Sequence, residues 1–285
     1  MKANRWITAA AVSGTACLCG SAYSASLEAL WQFEETSGIL AEDSIDSLDA
    51  DLANGASLNI AGRFGSGLDL SSDSGGGSNA TVNSAAGIAA TQQTGDFTVA
   101  VWLRPTTDDL NNNFARVIDA STNTGGITSG YRLFTGGTGL ENRFRFLADK
   151  GASNVDITHT RTMTADTWTL WVVRYDVDGN ATTNVLIDGD SVNSAFVTGN
   201  NQSVAAGGSV FYASSDETTF GAQDTPNTDN NFDGPIDDAA FFSGLLTDEE
   251  VATLYNSGAG VFVPEPTSLA LLGLGGLLVA RRRRS

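Results

Sequence analysis

Phe97-Thr98-Val99-Ala100-Val101-Trp102-Leu103 is the stretch from which the fold can be read. In an extended chain Phe97, Val99, Val101 and Leu103 point to one side, while Thr98, Ala100, Trp102 and Arg104 point to the other. Both sides carry apolar groups, so the segment reads as an interior strand. Similar runs of β-branched and aromatic residues recur on either side of it. Leu27 to Phe33, Arg116 to Asp119, Tyr131 to Phe134, Arg143 to Leu147, Asp156 to His159, Trp168 to Tyr175 and Asn184 to Ile187 all read as strands between polar turns. Asp178-Gly179-Asn180 is a tight-turn signal that joins the runs from Trp168 and Asn184 into a hairpin.

One stretch alone reads as a helix. Thr247 is a good N-cap, Glu250 completes a capping box, Val251, Leu254 and Tyr255 follow at helical spacing, and Gly258 supplies a stop. A single short helix after many strands predicts a β-sandwich with a small helical flap. Residues 71 to 79, rich in Ser and Gly, read as a loop inside one domain because strand signals resume directly after them. The glycines, 32 in all, and the many Asn, Asp, Ser and Thr residues agree with turn-rich all-β structure.

The two ends describe a delivery route. Lys2 and Arg5 precede an apolar stretch from Trp6 to about Leu18, followed by small residues, which predicts a secretory signal peptide over residues 1–24. Cys17 and Cys19 both fall inside it, so the mature chain carries no disulfide and no thiolate site. At the other end Pro264-Glu265-Pro266 precedes an apolar run from Thr267 to Ala280, closed by Arg281, Arg282, Arg283 and Arg284. Such a segment enters a bilayer with its arginines held on the cytoplasmic side. At ~1.5 Å per residue the run is shorter than the ~30 Å hydrocarbon core, which argues against a permanent anchor. Over residues 25–280 nine basic residues face all 33 carboxylates, a formal charge of −24. Nucleic acid is excluded as a partner on that balance.

The tail resembles the PEP-CTERM sorting signal of exported proteins of Gram-negative bacteria, with Pro264, Glu265 and Pro266 matching its triplet. That resemblance implies recognition by an exosortase-type processing enzyme, a membrane intermediate and a destination at the cell surface or in the extracellular matrix. The region between, taken as residues 25–260, resembles a LamG-like jellyroll of the concanavalin A-like lectin and glucanase superfamily. The pieces that carry this likeness come in order: Leu30 to Glu35, an acidic loop around Asp43, Gly62 to Leu68, Phe97 to Pro105, Trp168 to Trp171, Ile187-Asp188-Gly189, Gly234 to Asp238 and Leu246 to Val251. The resemblance implies an all-β, two-sheet antiparallel jellyroll sandwich with one short C-terminal helix, followed by the sorting segment over 261–285.

Fold does not carry function, so chemistry must come from sites. A retaining glycosidase needs two carboxylates about 5 to 5.5 Å apart. The Glu-x-Asp motif with a further Glu, which the superfamily's glucanases use, is absent; Glu34-Glu35 and Asp237-Asp238 are expected to alternate faces. His159, the one histidine, lies in a strand-like run without a nucleophile elbow. The chain is therefore read as a non-enzyme that binds carbohydrate such as exopolysaccharide, with a carbohydrate-active enzyme or a purely structural surface protein as alternatives. Calcium is the expected structural cofactor. Asp229, Asn231 and Asp233 occupy positions one, three and five of an EF-hand-like loop with Gly234 at six, although Ala240 stands where a bidentate Glu belongs. The family resemblance implies a calcium ion between Asp43 and Asp237 or Asp238. For a sugar, Phe114, Tyr131 and Tyr212 are the candidate aromatics near polar turns, while Trp31, Trp102 and Trp171 read as core.

Overall fold

Phe97–Leu103 is buried along its whole length, and the reason lies in what covers its two faces. The structure, a computed structural model, describes residues 25–71, 77–112, 114–122, 127–136, 139–140, 142–190, 201–213, 217–223 and 230–263. The expected signal peptide, Asp229 and the whole sorting tail from Pro264 to Arg284 lie outside the described residues. In chain order the strands are β1 (Ser26–Trp31), β2 (Leu40–Ala41), β3 (Ala50–Ala53), β4 (Ser57–Ala61), β5 (Ser66–Asp69) and β6 (Asn79–Val82). Helix α1 (Ala85–Thr91) follows, then β7 (Phe97–Leu103), β8 (Arg116–Ala120), β9 (Tyr131–Thr135), β10 (Arg143–Asp149) and β11 (Asn154–Thr162). The chain continues through β12 (Thr169–Tyr175), β13 (Asn180–Ile187), β14 (Asn201–Ala205), β15 (Thr218–Phe220), β16 (Ile236–Ser243), helix α2 (Asp248–Ser257) and a 3-10 turn (Ala259–Phe262).

These strands form two antiparallel sheets. One runs β14-β13-β12-β7-β16-β5-β4, with β1 also paired to β16; the other runs β11-β10-β9-β8-β15-β6-β3-β2. Strand β7 lies between β12 and β16, the interior place expected for it. Its Phe97, Val99, Val101 and Leu103 enter the main core between the sheets, against Tyr131, Phe146, Trp171 and Tyr175. Its Ala100 and Trp102 enter a second apolar cluster with Leu170, Val172, Phe242, Val251 and Leu254, on the opposite side of the same sheet. The flap formed by α2 and the 3-10 turn covers that outer face, so the apolar character of both sides of β7 has a separate cause on each.

The local signals hold where they are strong. Strands β12 and β13 pair from Thr169↔Ile187 to Tyr175↔Ala181, making the hairpin at Asp178-Gly179-Asn180. In α2 the Thr247 side chain accepts from the Glu250 backbone amide, and the Glu250 carboxylate accepts from Thr247 N at 2.7 Å. Trp31, Trp102 and Trp171 are all core, and Trp171 Nε1 donates to Thr183 Oγ1 at 2.7 Å. The expectation of one helix is corrected by α1. That helix has no apolar stripe and contains Gly87, so periodicity did not show it; Ser84 Oγ caps the Gly87 amide, and Thr91 is anchored through Thr218 and the Tyr131 hydroxyl. Strands β2 to β6 and β14 to β16 also escaped the sequence reading: most are five residues or fewer, and the longer β16 is buried almost throughout and shows no alternation.

Candidate functional site

Several of the sequence pieces that carry the family resemblance meet at a structural lock beneath the flap. Asp237 and Asp238 sit at a β-bulge where the pairing of β16 with β7 slips between Asp237 and Ala240, and Asp238 has φ 43°. The strict alternation of faces expected for them is therefore interrupted, and both carboxylates turn inward. Asp237 Oδ2 accepts from the backbone amides of Arg63 and Phe64 at 2.7 and 2.8 Å, and Asp238 Oδ2 accepts from Ala259 N at 2.8 Å. Gly258, at φ 74°, leaves room for this, since a Cβ there would lie 2.5 Å from Asp238 Oδ2. Arg63 in turn lies over the rings of Phe64 and Trp102 at 4.8 and 5.0 Å and pairs with Asp188 at 3.3 Å. Gly62 to Leu68, Asp188, Asp237-Asp238 and the end of the final helix thus come together to fasten the flap.

Burial, and the neighbouring Asp238 charge after it, push Asp237 up to about 8; burial pushes Asp238 up to about 6, with Glu34 adding to it. Both folded-state values lie above those of an unfolded chain. The folded protein therefore holds protons that the unfolded one has released, and this stability is present below about pH 4 and is lost as pH rises from about 4 to 8. Melting temperature is expected to fall over that window. Asp238→Asn keeps an oxygen for the Ala259 amide, tolerates the positive φ and is expected to flatten the fall by on the order of 2 kcal/mol. Melts at pH 5, 6.5 and 8 check this; an unchanged slope in the variant would count against it.

Asp43 is likewise bound to backbone. Its Oδ1 accepts from Leu30 N at 2.7 Å, and its Oδ2 accepts from Asp46 N at 2.6 Å and from Ile45 N and Leu48 N at 3.2 and 3.4 Å. Trp31 forms a bridge with Asp43 and pairs with Ala239 through β16, so the topology does bring the acidic loop beside the last strand. Asp43, Asp237 and Asp238 each accept from backbone amides, and no group of three His, Cys, Asp or Glu residues able to hold a metal occurs among the described residues. In the EF-hand-like loop Asn231 bridges Arg116, Asn112 Nδ2 donates to the Asn231 carbonyl, and Asp233 N donates to the buried Asp109. This loop packs onto residues 106–112 and is part of the fold. Glu34, Glu35, Glu42 and Asp43 do line an acidic recess of about 330 Å3 with Gln32, Phe33 and Ser44.

The candidate aromatics separate. Tyr131 is corrected to a core residue: it is fully buried, stacks on Phe97 and donates its hydroxyl to the Thr91 carbonyl at 2.8 Å. Tyr212 packs edge-on against it and donates to the Gln93 carbonyl. His159 is fully buried in β11, where its Nδ1 accepts from Arg161 N. Phe114 remains partly exposed, and its backbone is held at φ 74°, a strained region for a bulky side chain. Its amide donates to the Thr135 carbonyl, its carbonyl accepts from Arg116 Nη1 at 2.8 Å, and its ring stacks on Phe134 at 6.0 Å.

Phe134 leads to residues that the sequence reading passed over. It lies on the face of the second sheet opposite the main core, in a small cluster with Ile127 and Leu147. Arg116 of β8 and Arg145 of β10 stand directly across from it in register, and Arg132 lies two residues before it on the same face of β9. All three guanidinium groups sit over its ring, at 4.9, 5.3 and 5.3 Å for Arg116, Arg132 and Arg145. Two carboxylates answer them. Asp119 lies 3.1 Å from Arg116 Nε, and Asp156 takes Arg145 through both oxygens at 2.8 and 2.5 Å. Burial lowers Arg116 to about 10, with Arg132 adding to it, so the group stays charged at neutral pH. The one sequence signal was composition: four of the nine cations between the two ends, Arg116, Arg132, Arg143 and Arg145, lie within 30 residues of one another.

The sequence pattern of the concanavalin A-like lectin/glucanases superfamily matches residues 74–252, and that of the PEP-CTERM protein-sorting motif matches residues 262–284. No curated protein matches the chain in sequence. Among solved structures it resembles the binding domain of Paraclostridial Mosquitocidal Protein 1 at 15% identity and TM-score 0.56, over 81% of this chain and 52% of that one. It resembles domain 4 of AbnA, a GH43 extracellular arabinanase from Geobacillus stearothermophilus in complex with arabinotriose, at 14% identity and TM-score 0.53, over 81% of this chain and 98% of that domain. The binding domain of botulinum neurotoxin DC in complex with rat synaptotagmin II matches at 17% identity and TM-score 0.56, over 81% and 51%. The chain spans about half the length of these toxin domains, and at such identities the likeness is one of fold.

Proposed function

The chain belongs to the concanavalin A-like lectin/glucanases superfamily and ends in a PEP-CTERM sorting motif, and from that premise we propose that it is a non-catalytic carbohydrate-binding protein of the cell surface. The motif implies export and membrane-associated sorting by exosortase-type machinery. Phe114 carries the binding assignment. A partly exposed aromatic ring is held in a strained backbone conformation beside a polar sheet face, which is the pairing of apolar plane and hydrogen-bonding groups that a sugar ring requires. The arabinotriose complex of the similarly folded arabinanase domain supports the reading. The absence of turnover rests on the carboxylates themselves: Asp237 and Asp238 are engaged with backbone amides under the flap, away from this face.

A glycan array with the purified chain, run with and without calcium, tests the function. Binding without sugar release is expected, and Phe114→Ala should weaken it about tenfold. Released sugar would overturn the non-catalytic reading, and full affinity in the Phe114 variant would move the site elsewhere.

A further inference from the structure

Among the described residues, the arginines around Phe134 outnumber by one the carboxylates that face them. Arg116, Arg132 and Arg145 face Asp119 and Asp156, and the charges that bear on Arg132 are Asp119, Arg145 and Asp156. Arg132 is only 6% exposed, yet its Nε and Nη1 are buried without a hydrogen-bond partner among the described residues. A buried guanidinium with open donors is costly, and such groups in folded proteins call for an explanation. Water can accept from the open N–H groups, but water brings no charge. The arrangement is also improbable as mere surface balance, because residues 25–280 carry 33 carboxylates against nine basic residues. The rim of this face is formed by side chains that solvent reaches in part, Phe114, Arg145 and Asp156.

We propose that the face around Phe134 seats an oxyanion carried on a sugar, with Arg132 as its principal ligand, so that the carbohydrate bound is an acidic polysaccharide. This rests on the reading of the chain as a carbohydrate-binding protein and narrows the class of its ligand. A uronate carboxylate and a sulfate ester both present two oxygens to the planar fork of an arginine, which a lysine ammonium cannot match. Arg116 is held by Asp119 and the Phe114 carbonyl and fixes the near wall; Arg145 is held by Asp156 at the rim. Arg132, with its open donors between them, is the group left to meet a ligand.

The test compares the purified full chain, in mild detergent, against a polyuronate, a sulfated glucan and a neutral glucan of matched length. Salt is kept near 0.15 M, where the Debye length of about 8 Å screens the overall negative charge. At least one acidic polymer is expected to bind about tenfold or more tightly than the neutral one, and which of them does so separates carboxylate from sulfate. Arg132→Gln and Arg132→Lys should both lose that preference, and Arg104→Gln, whose side chain lies over Trp168 elsewhere, should keep it. Should the Arg132 variants fail to fold, Arg145→Gln, at the partly exposed rim, decides by the same loss. Tight binding of the neutral polymer with no acidic preference, or a folded Arg132 variant that retains the preference, overturns the proposal while leaving carbohydrate binding intact. Binding to none of the three overturns both.

Discussion

Asp43→Ala is expected to lower the stability of the protein by about 3 kcal/mol, and by the same amount in millimolar calcium and in excess chelator. The carboxylate accepts from Leu30 N and Asp46 N at 2.7 and 2.6 Å and from Ile45 N and Leu48 N at longer range, while Trp31 bridges it from β1. Hydrogen bonds to a charged acceptor contribute about 1.5–3 kcal/mol each, and removing the acceptor leaves buried donors open. Asp43→Asn retains one acceptor oxygen but turns an amide N–H2 toward those donors, so it should recover less than half of the loss. Denaturant melts of the three proteins in both conditions give the answer. A loss confined to the calcium-containing samples would identify Asp43 as a cation ligand instead of a cap for the loop.

Trp102→Ala is the second large effect, about 4 kcal/mol by the usual cost of emptying a buried tryptophan site, or roughly 10 °C in melting temperature for a domain of this size. The ring is 1% exposed and is enclosed by Tyr255 stacked at 5.4 Å, Phe64 edge-on at 5.8 Å and the Arg63 guanidinium. With the Phe242–Phe262 pair, it is one of the aromatic contacts through which the flap grips the outer face of the first sheet. Amide exchange at Val251 and Leu254 should therefore accelerate more than exchange in β12 or β13. If all of these amides accelerate equally, Trp102 stabilises the sandwich as a whole and the flap has no separate opening.

These two residues also show how much of the molecule was legible beforehand. Trp102 was placed on a strand with two apolar sides from its own neighbours, and the capped helix at Thr247 was visible from its own four residues. That the second side of the strand is covered by this helix was not, because the contact joins residues about 150 positions apart. Asp43 was placed beside the last strand only through the family resemblance, and the structure puts it there; its task was not legible, since the partners are backbone amides, which no side-chain pattern reports. Tyr131 failed as a surface candidate for a related reason. Its polar neighbours in sequence, Ser129 and Gly130, are themselves buried, and its hydroxyl reaches Thr91 in a helix that periodicity did not reveal.

From the sequence by itself came the sandwich class, the interior strand at Phe97–Leu103, the hairpin at Asp178-Gly179-Asn180, the final capped helix, the acidity and the sorting tail. The strand, the hairpin, the helix and the tail are each written in residues close together in sequence, where side-chain alternation, turn chemistry and capping act, and the class and the acidity follow from summing such local signals and charges along the chain. Only the tertiary structure decided that Arg116, Arg132 and Arg145 share one aromatic ring. Cross-strand register between β8, β9 and β10 brings them together, and register is set by the pairing of whole strands and the burial of their other face. That is why the site proposed for the acidic sugar left almost no trace along the chain.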